Sequence, residues 1–236
     1  MTDPLARFLL IAALAGLNPL ASASAADLSA APVVKGVAPL PEDPFAGFYL
    51  GIAAGYGRGA TQADGGLAGA SAFSFDTDGA LAAGYGGYNW RSGAFLAGAE
   101  VEIGYMGISG SALQPLGGAE VSTHIGAYGA LTGRLGVVLG TGTLIYGKGG
   151  VALAWPKLEV QGPGLDAWRV EANAGWTAGA GVEQALAGRW LLRAEYQYFD
   201  FGEMTANGAA LGGPAGAWTA STLDAHTLKA GIAHRF

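Results

Sequence analysis

The stretch His226-Thr-Leu-Lys-Ala-Gly-Ile-Ala-His-Arg-Phe236 decides how the rest of the chain is read. Side chains alternate across a strand, so His226, Leu228, Ala230, Ile232, His234 and Phe236 share one face. Thr227, Lys229, Gly231, Ala233 and Arg235 share the other. One face is mostly apolar, the other is small or cationic, and the stretch finishes on an aromatic ring. A last strand docked on a soluble core could carry this pattern. A closed sheet in a bilayer requires it. There, every backbone group must be paired, the lipid face must be apolar, and aromatic rings favour the lipid–water boundary.

Seven further segments have strand length. In 47–57, Phe48, Leu50, Ile52, Ala54 and Tyr56 oppose Tyr49, Gly51, Ala53 and Gly55. Segment 78–90 is rich in glycine, and its facing stays open. In 94–105, Phe95, Val101, Ile103 and Tyr105 oppose Gly98, Glu100, Glu102 and Gly104. In 124–138, Leu131, Leu135 and Val137 oppose Tyr128, Thr132 and Arg134. In 144–155, Ile145, Val151, Leu153 and Trp155 oppose Tyr146, Lys148 and Ala152. In 174–186, Trp176, Ala178, Ala180 and Val182 oppose Thr177, Gly179 and Glu183; in 190–201, Leu192, Ala194, Tyr196 and Tyr198 oppose Arg193, Glu195 and Gln197. The segments are joined alternately by short connections (91–93, 139–143, 187–189) and by long, polar, glycine-rich ones (58–77, 107–123, 156–173, 202–223). Short turns on one rim and long loops on the other describe an eight-stranded antiparallel transmembrane up-and-down β-barrel.

The charged strand residues fix which face is inside. Glu100, Glu102, Arg134, Lys148, Glu183, Arg193, Glu195 and Lys229 all lie on the faces opposed to the apolar ones. A barrel in water would reverse this, with its apolar face inward. In lipid, a lysine or arginine pointing outward at mid-bilayer costs about 2–4 kcal/mol. The charges therefore point inward, where four acids and four bases form a lumen charge network. Eight strands leave an interior that side chains just fill, so the expectation is a plugged lumen. Aromatics stand at both ends of the strands: Trp90, Trp190 and Phe236 beside short turns, Tyr105, Trp155, Trp176 and Tyr198 beside long loops.

Composition agrees. The 236 residues are 51% hydrophobic and only 13% charged, about half the usual charged share of ~25%. The 42 glycines are more than twice the usual share of about 7%. A net charge of −6 gives no reason to expect nucleic acid. Without cysteine the chain has no disulfide framework and no thiolate metal site. At the start, Arg7, the apolar run 8–17 and the small-x-small site Ala23-Ser-Ala25 read as an export signal over 1–25. Residues 26–44, with Pro32, Pro39, Pro41 and Pro44, read as a flexible periplasmic arm ahead of a barrel over 45–236.

A set of short motifs then resembles a known family. These are Phe45-Ala-Gly-Phe-Tyr-Leu-Gly51, Gly86-Gly-Tyr-Asn-Trp90, Gly98-Ala-Glu-Val-Glu-Ile-Gly-Tyr105, Thr132-Gly-Arg-Leu-Gly136, Trp176-Thr-Ala-Gly-Ala-Gly-Val-Glu183, Arg193-Ala-Glu-Tyr-Gln-Tyr198 and Ile232-Ala-His-Arg-Phe236. In that order they resemble the small outer-membrane β-barrel proteins of alphaproteobacteria, relatives of the OmpA transmembrane domain often labelled porin-family. The resemblance implies residence in a Gram-negative outer membrane and a surface-antigen or envelope-integrity role. It also implies insertion by the barrel-assembly machinery, with Phe236 as the assembly signal. Outer-membrane lipid and lipopolysaccharide would be the surroundings, and no cofactor is implied. The alternative is a narrow porin or ligand-binding channel for small solutes.

Ser122, His124, Asp224 and His226 lie near long-loop ends, where a lipid hydrolase would hold a serine, histidine and acid. No Gly-x-Ser-x-Gly turn accompanies them, and the expectation is no enzyme. His124 and His226 alone do not define a metal site. Arg91 and Arg189, in short turns, are expected to meet lipid headgroups or solvent.

Overall fold

The computed structural model describes residues 43–65, 73–113, 120–140, 142–162, 165–170, 172–202, 204–207 and 217–236. The expected export signal and residues 26–42 of the expected arm lie outside this set. In chain order the strands are β1 (Gly47–Gly65), β2 (Phe73–Ser92), β3 (Phe95–Leu113), β4 (Glu120–Leu139), β5 (Thr143–Ala154), β6 (Lys157–Gly162), β7 (Leu165–Val170), β8 (Asn173–Ala185), β9 (Trp190–Asp200), β10 (Met204–Asn207) and β11 (Ala217–Arg235).

Eight of these form a closed ring. The hydrogen-bonded order runs β3-β2-β1-β11-β9-β8-β5-β4, and β4 pairs back onto β3. Every pairing is antiparallel. The first and last strands meet in the register Leu50↔His234, Ile52↔Ile232 and Tyr56↔Leu228. Closure removes both sheet edges, so every ladder amide has a partner without water. Among the described residues no helix is long and apolar enough to cross a membrane; a ring of this kind crosses with strands.

Burial alternates along each strand with period two. In β11, Leu228 is 59% exposed and its neighbour Lys229 is 3% exposed. The facing of β2, left open by its glycines, is set by Leu81, Ala83, Tyr85 and Asn89, all buried and all inward. Outside, Phe48, Ile52, Ile103, Leu135, Val151 and Ile232 make an exposed apolar belt.

The strands run past the ends that alternation marks. β1, β2, β3, β4 and β11 are 19 or 20 residues long. Much of what reads as glycine-rich loop is therefore strand standing above the belt. Further along, β6 and β7 form a hairpin against the top of β4. There the buried face is lined by residues such as Val121 and Thr123 while the outer face carries polar ones such as Glu120 and Ser122, so the apolar outer stripe that marks the lower strands is missing.

One irregularity turns a side chain around. Met106 faces Gly126, but the next partners are Ser109 and His124, so β3 carries one residue more than β4. Gly126 has φ +75°, a left-handed conformation that glycine adopts without strain. The bulge sends Thr123 and Ile125 inward and His124 outward, where a straight count from Tyr128 would have put His124 inside.

Candidate functional site

The candidate site is the interior of the ring. Six strands deliver its charges: Glu100 and Glu102 from β3, Arg134 from β4, Lys148 from β5, Glu183 from β8, Arg193 and Glu195 from β9, and Lys229 from β11. None is more than 6% exposed.

They divide into two linked halves. On the short-turn side are the arginines. Arg134 Nη2 donates to Glu183 Oε1 at 2.9 Å, and its Nη1 lies 3.4 Å from Glu100 Oε2. Arg193 donates through Nε to Glu183 Oε1 at 2.8 Å and through Nη2 to Glu100 Oε2 at 2.7 Å. On the long-loop side are the lysines. Lys229 Nζ reaches both oxygens of Glu102, at 2.6 and 2.7 Å. Lys148 Nζ and Lys229 Nζ flank Glu195 Oε1 at 2.8 and 3.0 Å. The halves are joined by Lys148 Nζ to Glu100 Oε1 at 3.0 Å.

Tyrosines complete the coordination. Tyr49 donates to Glu100 at 2.8 Å, Tyr128 to Glu102 at 2.6 Å and Tyr146 to Glu195 at 2.5 Å. The guanidinium of Arg193 lies 3.9 Å from the Tyr85 ring centre, and that of Arg134 lies 4.1 Å from the Tyr146 ring centre. Gln197 accepts from Lys229 at 2.6 Å. The tyrosines and Gln197 were not among the expected network residues. For Tyr128, Tyr146 and Gln197 the signal was present, because each has the parity of a charge on its own strand; Tyr49 and Tyr85 stand on β1 and β2, which carry none of the eight charges. Room for the rings comes from glycine: a Cβ at Gly181 would sit 2.5 Å from the Tyr146 hydroxyl.

Two apolar layers enclose the charged one. Toward the short turns lie Phe45, Leu96, Val138, Leu144 and Leu191. Toward the long loops lie Met106, Ile108, Ile125, Phe199, Phe201 and Leu223. A charge in such surroundings is costly unless it is paired and hydrogen-bonded. Here every charge of the layer is paired with at least one of opposite sign.

The histidines stand apart. His124 and His226 are on β4 and β11, which are separated by three strands in either direction around the ring. Each is bonded outside the ring to a neighbouring tyrosine: His124 to Tyr105 and His226 to Tyr196, both at 2.7 Å. Asp224 accepts from the Ala60 amide at 3.0 Å. The four residues considered for hydrolysis are thus not brought together. Among the described residues no three metal-ligating side chains gather. His234 lies between Trp190 and Phe236, with ring centres 5.0 Å apart on each side, in the aromatic rim beside the short turns. Phe236 is 65% exposed, and its amide donates to Phe48 O at 2.9 Å. Arg91 meets Asp43, with Nη1 at 2.8 Å from Oδ1.

Comparison with known proteins agrees with this architecture. Residues 11–236 match the family described as an outer membrane protein beta-barrel domain. A 31 kDa outer-membrane immunogenic protein of Brucella melitensis biotype 1 is 28% identical, over 91% of this chain and 94% of that protein. A 22 kDa outer membrane protein of Rhizobium leguminosarum bv. viciae is 31% identical, over 68% of this chain and 66% of its own length. Among solved structures, the outer membrane protein OprG from Pseudomonas aeruginosa shares the fold, with a TM-score of 0.54 and 16% identity over 81% of this chain and 98% of that one. The chain belongs to the outer membrane protein β-barrel domain family, and its place is the outer membrane of a Gram-negative cell.

Proposed function

We propose that this barrel is a closed-lumen structural protein of the envelope, which presents its long loops as a surface antigen and is not a solute channel. The observation that supports this is the layered interior: a paired charged layer between two apolar ones. A water-filled path would have to separate the paired ions and wet the two apolar layers that enclose them. The immunogenic relatives in Brucella suit the antigen role. In this reading the long loops face outward from the cell and both termini face the periplasm, the usual arrangement when short and long connections alternate. Outer-membrane lipid and lipopolysaccharide surround the apolar belt. The barrel-assembly machinery reads the terminal Phe236, whose exposed ring stands at the short-turn rim.

Conductance across planar bilayers tests the closed lumen: the refolded chain gives no steady ion current, whereas a reproducible current identifies the narrow porin instead. Orientation is tested with intact cells. Added protease cuts within 58–77 or 202–223 and spares the short turns. Cutting only after the outer membrane is permeabilised reverses the orientation.

A further inference from the structure

The chain crosses the short-turn mouth of the ring before β1 begins. Phe45, with no exposed surface, sits there against Tyr49, Leu96, Val138, Leu144 and Leu191. It is held by its flanks. Asp43 Oδ1 accepts from the amides of Phe45 at 3.0 Å and Ala46 at 3.3 Å, which folds the segment into a turn. The same oxygen accepts from Arg91 Nη1 at 2.8 Å. Asn89 Nδ2 donates to Phe45 O at 2.9 Å, and Arg235 Nη1 to Ala46 O at 3.3 Å. Gly47, the next residue, has φ +103°, a backbone conformation that side-chain-bearing residues rarely adopt.

We propose that residues 43–46 are a removable stopper: the Asp43–Arg91 latch seats Phe45 in the short-turn mouth, and the segment swings out about Gly47 when the latch is broken. The eight strands and the charged layer stay in place as the mouth layer becomes wet.

Three features support a part that moves by itself. Strand pairing of β1 starts at Gly47 on one side and Tyr49 on the other, so residues 43–46 take no share in the ring's ladder. Release breaks no strand-to-strand bond. The latch is also the accessible part of the assembly: its two side chains are 24% and 33% exposed, so water and salt compete for it, while the bolt it secures is dry. The hinge is a glycine at the boundary between segment and strand. Anything that binds or pulls the chain ahead of Asp43 would act on the latch directly. The inference rests on the closed-lumen reading in one respect only, that a charged seal lies beneath the mouth layer.

The chain has no cysteine, so a single introduced thiol reports alone. Leu144→Cys places it in the mouth layer; Ala152→Cys places it beyond the charged layer. The full chain, refolded into detergent and checked by heat-modifiability, is treated with a water-soluble maleimide. The thiol at 144 reacts slowly in the otherwise native chain. Asp43→Asn and Arg91→Ala each speed it severalfold, up to about fivefold, since labelling follows the population of the open form. Phe45→Ala speeds it further, and the thiol at 152 stays unreactive throughout. Equal rates at 144 in all backgrounds overturn the stopper, whether or not the lumen conducts. Parallel acceleration at 152 overturns the independent movement, because mouth and charged layer would then open as one. Asp43→Asn, which removes one charge and little volume, keeps the test valid if Arg91→Ala does not fold.

Discussion

Neighbours in sequence inhabit opposite worlds in this barrel. Leu228 and Lys229, Leu135 and Arg134, Val101 and Glu100 are adjacent pairs whose first members stand exposed on the outer belt and whose second members are buried inside the ring. In a water-soluble barrel the apolar member would be the buried one. The inversion shows that the apolar surroundings lie outside, and it explains the low charge content. Charge is concentrated on one face because only that face offers counter-charges. Glycine and alanine belong to the same economy of space, since a narrow interior already crowded by tyrosine and arginine has no room for more.

The comparison breaks first, and with the largest effect, at Glu100. Glu100→Ala leaves Arg193 and Lys148 short of a counter-ion and costs about 3–5 kcal/mol, whereas Val101→Leu next to it stays within about 0.5 kcal/mol. Urea midpoints of the refolded chain read both, and equal effects would mean the facing is wrong. The converse experiment charges the outer face. Leu135→Lys should cost about 2–4 kcal/mol in lipid vesicles. The expected loss shrinks in detergent micelles, where the outer face is more easily wetted. A loss that ignores the surroundings would remove the belt from lipid.

Third comes Phe236, an outer-face ring at the rim. Deleting it should cost about 1–3 kcal/mol, the value of one apolar side chain, when stability is measured after refolding. If Phe236 is the assembly signal proposed above, the outer-membrane yield in cells should fall sharply as well. Equal loss in both settings would make Phe236 a packing residue alone.

The smallest effect belongs to Asp43, which lies outside both faces. Burial pushes its carboxyl up, but the amides of Phe45 and Ala46 and the Arg91 guanidinium outweigh this and hold it below the ordinary value. A depressed carboxyl stabilises the fold above its unfolded pKa, and the contribution is lost as the pH falls through the folded value. Asp43→Asn should thus lower the midpoint by about 0.2–1 kcal/mol at neutral pH. The difference from the native chain should vanish in strong acid. A gap that persists there would make the latch a matter of shape and not of charge.

Most of the ring was legible because a strand between two solvents must alternate. The eight strands and the inward parity of Glu100, Arg134 and Lys229 follow from that requirement alone. The rest was hidden for definite reasons. Above the belt the outer face no longer carries an apolar stripe, so the upper parts of β1 and β3 read as loop although Ile108 there is buried. The outward turn of His124 depends on one extra residue in β3 and on the backbone of Gly126, which parity counting does not register. Phe45 precedes the first strand, and a single apolar residue in an irregular segment has no period to betray it. Tyr128 and Tyr146 share a parity with Arg134 and Lys148 and are legible as inward, whereas Tyr85 stands on a glycine-rich strand whose alternation assigns no facing.

The distribution of charge over the strands also bears on how the barrel is built. β3 brings two acids, β4 and β5 one base each, β8 one acid, β9 one of each sign, and β11 the final base, Lys229. If strands join in chain order, the growing sheet carries excess negative charge until β5 arrives and again from β8 onward. Neutrality returns only when Lys229 reaches Glu102, a partner 127 positions away in sequence. A sheet lacking only β11 would then hold one unmatched negative charge on its concave face. In that order the last strand is both seam and counter-ion, so closure of the ring and neutrality of its interior coincide.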